Sequence, residues 1–152
     1  MSNYSSFRVR HADWVRDQAA LRAIRREVFV VEQNVSEDEE WDDRDAVSRH
    51  VLASANNGEP IGTGRLLPGG YIGRMAVLKS WRGRGVGSAL LSELLALARE
   101  RGHAEVRLHA QTHALEFYRK HGFTPLGDEF MEAGIPHYEM RTLLKPTSGS
   151  AA

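Results

Sequence analysis

The sequence contains no cysteine, which excludes disulfide bonds, thiolate zinc sites and a cysteine nucleophile together. It also has no net charge: twenty basic and twenty acidic residues cancel over 152 positions, so no global field draws the chain to nucleic acid or anionic lipid. No apolar run approaches the roughly 20 residues that span a bilayer. The first residues, Met-Ser-Asn-Tyr-Ser-Ser, lack the basic and apolar regions of a signal peptide, and a cytoplasmic location is the expectation. Proline is sparse, at five residues, and no repeat or linker divides the chain, so one domain is expected over 1–145, with a small, polar tail at 146–152 that frays. A composition of 41% hydrophobic and 26% charged residues is ordinary for a globular protein.

Glycine, by contrast, is concentrated where it matters. Residues 81–102 run Trp-Arg-Gly-Arg-Gly-Val-Gly-Ser and then into a leucine-rich stretch that ends at Gly102. Val86, Leu90, Leu91, Leu94, Leu95 and Ala98 fall on one helical stripe, predicting a helix packed on a sheet. Its first amides have no intrahelical partner, and with Arg82 and Arg84 beside them they favour a phosphate group.

Around this element the pattern is mostly β. Phe7–Arg10 reads as a strand, and Asp17 opens a helix bearing Leu21, Ile24 and Val28 that leads into 29–33. Ser48–Ala55 and Ile61–Leu67 flank Asn56-Asn-Gly-Glu-Pro60 and form a hairpin, and Tyr71–Leu78 adds a third antiparallel strand. Glu105–Gln111 follows the long helix, which makes strand, helix, strand a parallel right-handed crossover. Thr112 is placed to cap a second helix over His113–His121, and Phe123–Leu126 and His137–Leu143 are the last strands. The acidic run at 36–45 is too charged for a core; it reads either as a solvated connection or as a rim that attracts a cation over a substrate pocket.

Three phosphate motifs compete for the glycine-rich turn. A P-loop requires Gly-Lys-Ser/Thr, and Gly87-Ser88 lacks the lysine. A dinucleotide fingerprint requires a glycine where Ser88 stands and an acid at the end of the next strand, whereas Glu105 begins that strand. What remains is Arg82-x-x-Gly85-x-Gly87 between strand and helix, with Phe117-Tyr118-x-x-x-Gly122-Phe123 one crossover later. Together these resemble the two most recognisable motifs of the GNAT superfamily of N-acetyltransferases, over nearly the whole chain from about Phe7 to Leu144. Val28-Phe-Val-Val-Glu-Gln33, Glu40-x-Asp42-x-x-Asp45 and Gly134-Ile-Pro-His137 further resemble a branch of small bacterial proteins of that superfamily.

The resemblance implies an α/β fold with a mixed, mostly antiparallel sheet, a central parallel strand pair splayed to hold coenzyme A, and helices on both faces. It implies acetyl-coenzyme A as cosubstrate, with its pyrophosphate on Arg82, Gly83, Arg84, Gly85, Val86, Gly87 and Ser88. Backbone groups of Met75, Ala76 and Val77 would meet the pantetheine arm and the developing oxyanion, and Gln111, Ala114 and Phe117 would complete the cofactor contacts. Gln111 stands where such families often carry asparagine. Tyr118 matches the family's general acid for the departing thiolate, although its helical stripe also suits a core aromatic. Glu32 and His137 are the candidates for the base that an ammonium acceptor requires. The acceptor is expected to be an amine of a small molecule or peptide, and homodimers are common in such families. A non-catalytic acyl-coenzyme A binding module is the alternative on the same fold. His109 and His113 are four apart but separated by a strand end, so no metal site is expected. Arg99, Arg101 and Arg107 are expected to decorate an exposed helix end rather than bind nucleic acid.

Overall fold

The computed structural model describes residues 2–3 and 6–145; the expected fraying of 146–152 lies outside them. Seven strands form one sheet: β1 (Phe7–Ala12), β2 (Arg49–Ala55), β3 (Pro60–Leu66), β4 (Tyr71–Val77), β5 (Glu105–Gln111), β6 (Thr124–Glu132) and β7 (Ile135–Leu143). The order is β1-β2-β3-β4-β5-β7-β6, with the dipeptide Ser2–Asn3 paired outside β1. Every pairing is antiparallel except β4 with β5, the pair joined by the long helix α3 (Val86–Glu100).

The two faces are covered by different helices, as the two-residue period of a strand requires. On β2, Val51 and Ala53 pack with α3, while Leu52 points the other way into a cluster with Leu21 and Ile24 of α1 (Trp14–Arg25). Helix α3 buries Val86, Leu90, Leu91, Leu94 and Ala98 as the stripe predicts; Leu97 is buried as well, and Leu95 only partly. Gly62 and Gly64 on β3 let α3 approach: a Cβ on Gly64 would stand 2.8 Å from a Leu94 methyl. Helix α3 ends at Gly102, whose φ of +83° suits a residue without a Cβ.

Helix α1 begins at Trp14, three residues before the expected start. Asp13 and Asp17 cap it jointly: Asp13 accepts from the Arg16 amide, and Asp17 accepts from the Asp13 amide at 2.8 Å while pairing with Arg10 at 2.8 Å. The Arg10 hydrogen bonds hold the Asp17 carboxyl well below the usual range. After Arg25 the helix widens into a π-helical stretch, Arg26–Glu32, whose buried Val28 and Phe29 seal the α1 face.

The acidic run is neither a solvated connection nor a simple rim. It contains the one-turn helix α2 (Glu37–Glu40), capped by Ser36, and a 3₁₀ turn, Asp45–Val47. Glu40 and Asp45 are 3% exposed, and they face Arg25 and Arg65, which are equally buried. Arg25 donates to Glu40 and Asp45 at 2.8 Å each, and Arg65 donates to Asp45 at 2.8 Å and to Asp42 through both terminal nitrogens. Arg74 ties the Glu40 carbonyl and Asp42. Three guanidinium groups thus neutralise three carboxylates inside the fold, as buried charges require. Burial pushes Glu40 up, while the Arg65 hydrogen bonds hold Asp42 well below its ordinary range.

Two irregularities shape the site. Arg74 sits on β4 at φ +50°, where the β3–β4 register slips between Thr63 and Arg65; this bulge bends β4. Beyond it β4 leaves β5, whose pairing is confined to Tyr71 with Arg107 and Ile72 with Leu108. The second is the β6–β7 hairpin, longer than expected, which turns at Ala133 and Gly134 with φ of +53° and +75°, the geometry of a tight primed turn. Gly127 at φ +72° lies within a register shift of β6, which explains why the sequence pattern breaks after Leu126.

Candidate active site

The gap between β4 and β5 opens into a cavity of about 1250 Å³. At one end it reaches the glycine-rich turn; its middle is walled by Met75, Ala76 and Val77; its far side is closed by the π-helical stretch and the β6–β7 hairpin, through Phe29, Gln33, Ala133 and His137.

The turn has the predicted shape. Gly83 and Gly85 adopt φ of +75° and +87°, leading into α3, where the free amides and the helix dipole give a seat for a phosphate. Gly87 has a second function: a Cβ there would stand 3.3 Å from the Phe117 ring, so its absence lets α4 (Leu115–Lys120) close against α3. The side chains at the turn are engaged elsewhere. Arg84 lies 4.0 Å over the Trp81 ring, Ser88 Oγ bonds His121 Nε2 at 3.0 Å, and Arg82 grips Glu32 through two bonds of 2.6 Å while donating Nε to the Val77 carbonyl. With Arg82 held by Glu32, the anion-binding groups left open at the turn are its backbone amides.

Tyr118 projects from α4 to the splayed strands, its ring set edge-on to Phe117 and Phe123 and its hydroxyl donating to Met75 Sδ at 3.8 Å. Burial pushes the phenol up to about 12, so it stays protonated and able to donate at any physiological pH. The ring packs against the core, as the helical stripe suggests, and the residue also lines the cavity. Thr112 does not cap α4; residues Thr112–Ala114 form a 3₁₀ turn and its hydroxyl bonds Glu129 at 2.8 Å.

On the opposite face, Gln111 and Gln33 exchange two side-chain hydrogen bonds of 2.9 and 3.2 Å, and His113 adds a third to Gln111 at 2.7 Å. Consecutive residues of one segment, Glu32 and Gln33, thus reach both walls of the gap: Arg82 beyond β4, and Gln111 at the end of β5. The Arg82 hydrogen bonds hold the Glu32 carboxyl below its ordinary range. His137 is 6% exposed, stacked on Phe130. Its Nδ1 meets the Ile135 carbonyl at 2.7 Å; a carbonyl can only accept, so Nδ1 carries a hydrogen, and in the neutral ring Nε2 is the acceptor nitrogen.

The structure brings Met75, Ala76, Val77, Arg82, Gly83, Gly85, Val86, Gly87, Ser88, Gln111, Ala114, Phe117, Tyr118, Glu32 and His137 to this one cavity, while Arg84 stacks on Trp81 at its edge. Sequence reasoning missed Gln33, Arg74, His109 and Glu132, which also line it. Gln33 was visible inside a motif without any sign of its partner; Glu132 lies in the hairpin whose extent the sequence concealed. Arg107 belongs to β5, not to a helix end, and pairs with Glu105 and Glu139. Among the described residues no group of three or more His, Asp or Glu side chains gathers as a metal site, and no helix is long and apolar enough to cross a membrane.

A parallel pair parted by a bulge, a turn of open amides at its mouth and a tyrosine beside the opening are the features that the resemblance to the N-acetyltransferases implies. Comparison with known proteins agrees: residues 13–144 match the model of the acetyltransferase (GNAT) domain. The chain is 42% identical to the Bacillus subtilis protein YjcF, named an uncharacterized N-acetyltransferase, over 77% of this chain and 86% of that one. The crystal structure of Escherichia coli ElaA superposes with a TM-score of 0.80 at 31% identity, covering 90% of this chain and 99% of that one. An acyl-CoA N-acyltransferase from Pseudomonas aeruginosa gives the same TM-score, identity and coverage. The chain belongs to the GNAT acetyltransferase family and is an acyl-coenzyme A-dependent N-acetyltransferase.

Proposed function

We propose that this enzyme transfers the acetyl group of acetyl-coenzyme A to a primary amine of a small molecule or peptide, directly within a ternary complex and in the cytoplasm. The observation that carries the reading is Tyr118, a phenol kept protonated by burial and directed at the gap between β4 and β5. The amides of the turn at 82–88 would hold the pyrophosphate, and the backbone of Met75 to Val77 would hold the pantetheine arm and supply a donor to the thioester oxygen. When bound, the cofactor supplies the activated acyl carbon; the chain supplies the proton for the sulfur from Tyr118 and a lone pair for the amine from His137 Nε2. Lack of a free cysteine is compatible with this route, since direct transfer needs no covalent acyl-enzyme.

Glu32 has a different part from the base that the family resemblance suggests. Its carboxylate, doubly bonded to Arg82, is the weaker proton acceptor for it and the natural anchor of that arginine until a phosphate competes. The acidic run likewise contributes less field to the acceptor than its composition suggests, because its buried members are matched by arginines. Thiol release from acetyl-coenzyme A in the presence of an amine panel tests the proposal. Saturable, amine-dependent release supports it, and tight cofactor binding without transfer to any amine would instead favour the non-catalytic module. Acetyl specificity is checked by running propionyl- and succinyl-coenzyme A beside it, and a second copy of the chain as partner by light scattering.

A further inference from the structure

Acetylating an ammonium group has a fixed proton balance. The nitrogen gives up two protons as the C–N bond forms and the C–S bond breaks; one matches the proton placed on the leaving sulfur, and the other must reach water. Under the proposed function the second proton arrives on His137, which is stacked on Phe130 at the inner side of the cavity with 6% of its surface exposed.

We infer that His109, held by Glu132, carries this proton from His137 to the solvent, an inference that rests on the His137 reading above. His109 faces Glu139 across β5 and β7, and His137 faces Gln111. The two residues are therefore diagonal neighbours on one face of the sheet, their Cα atoms about 7–8 Å apart, close enough for the two rings to communicate through a short chain of waters. Both rings contact the same phenyl group, with Phe130 at 5.0 Å from His109 and 5.9 Å from His137. The exposures run in the required direction: His137 is buried, whereas the His109 side chain is 38% exposed.

The orientation of His109 is also set. Its Nδ1 lies 2.8 Å from Glu132 Oε1, and a carboxylate only accepts, so Nδ1 carries hydrogen and Nε2 is the acceptor nitrogen. Edge contact with Tyr71 at 5.8 Å and with Phe130 fixes the ring plane. When Nε2 takes a proton, the adjacent carboxylate stabilises the imidazolium until solvent removes it. The neighbouring groups are committed elsewhere and leave this task to Glu132: Glu139 accepts from Tyr71 at 2.7 Å and Arg107 at 3.1 Å, and Gln111 is held by Gln33 and His113. His109 is also the first β5 residue beyond the last β4 pair, Ile72 with Leu108, so it stands at the apex of the gap.

The experiment is chemical rescue of the full-length enzyme with acetyl-coenzyme A and its best amine. In about 1 mM buffer, His109→Gln should lower kcat about tenfold, less than the roughly 100-fold minimum for losing the acid or base itself because water partly replaces a relay, with both KM values near wild type. Adding 50 mM imidazole should restore it, since a mobile base then meets the proton. Glu132→Gln should show a smaller loss with the same rescue. Wild-type kcat for His109→Gln in dilute buffer, or a loss that no buffer base restores, overturns the inference. Wild-type kcat for His137→Gln overturns the His137 reading and the relay with it, whereas loss in His137→Gln beside wild-type kcat in His109→Gln overturns the relay alone. A readout independent of turnover is the ¹⁵N imidazole spectrum: it should place the His109 hydrogen on Nδ1 and lose that signature in Glu132→Gln, and an Nε2–H tautomer in the wild-type protein overturns the inference whatever the activity.

Discussion

Replacing Tyr118 by phenylalanine removes one oxygen and almost nothing else. The ring keeps its edge contacts with Phe117 at 5.0 Å and Phe123 at 5.9 Å, and the only hydrogen bond surrendered is the long one to Met75 Sδ. A weak bond of that kind contributes less than about 1 kcal/mol, so the variant should melt within a few degrees of the parent. Turnover is another matter. Losing a general acid costs about 10²–10⁴-fold, and at the lower limit kcat falls about 100-fold, or roughly 2.7 kcal/mol of barrier. The dissociation constant of acetyl-coenzyme A should stay within about twofold, because the pyrophosphate seat is formed by backbone remote from the hydroxyl. The same residue predicts the alkaline side of the pH profile. A group raised to about 12 remains in its protonated, donating form up to that pH, so kcat should show no alkaline limb from Tyr118 below about pH 11. Steady-state thiol release, with cofactor titration and thermal melting in parallel, measures all three. Undiminished kcat in Tyr118→Phe, or an alkaline fall that this substitution removes at pH 8–9, would refute the reasoning.

Other consequences follow from packing and charge. Glu32→Gln frees Arg82 from a competing carboxylate, so acetyl-coenzyme A should bind about two- to fivefold more tightly in a direct titration, a few tenths to one kcal/mol, the scale of a partly exposed ion pair. Gly64→Ala places a methyl 2.8 Å from Leu94 and should cost about 1–3 kcal/mol in denaturant unfolding. Asp45→Asn leaves the buried Arg25 and Arg65 short of a charge partner and should cost about 3–5 kcal/mol in the same assay. Asp42 has a folded-state pKa depressed below its unfolded value of about 3.9, so its stabilisation is present above that pH and is lost as the pH falls toward the folded value. Urea titrations at pH 5 and pH 3 should therefore differ less for Asp42→Asn than for the parent.

What the sequence made legible was local. The glycines at 83, 85 and 87, the leucine stripe and the Phe117-Tyr118 motif are contiguous, and their backbone and helical periodicity declare them. The acidic run misled because its partners lie far along the chain: Asp45 meets Arg25 and Arg65, each twenty positions away, and a row of carboxylates by itself resembles solvated surface. The same distance concealed the Gln33–Gln111 bridge, which spans 78 positions, and the His109–Glu132 pair, which spans 23. The sequence pattern points to Asp17 as the helix start because that residue serves the cap from inside the first turn, where it accepts from the Asp13 amide. The splay itself follows from a left-handed Arg74 in a bulge, a conformation that nothing in an arginine's identity announces.

The most direct test of the central claim is a crystal structure with acetyl-coenzyme A. The account predicts the pyrophosphate on the amides of residues 83–88, the pantetheine arm between β4 and β5, and the thioester sulfur within hydrogen-bond reach of the Tyr118 hydroxyl, no farther than the Met75 sulfur at 3.8 Å. A sulfur lying outside the gap, or a pyrophosphate seated away from the turn, would contradict it.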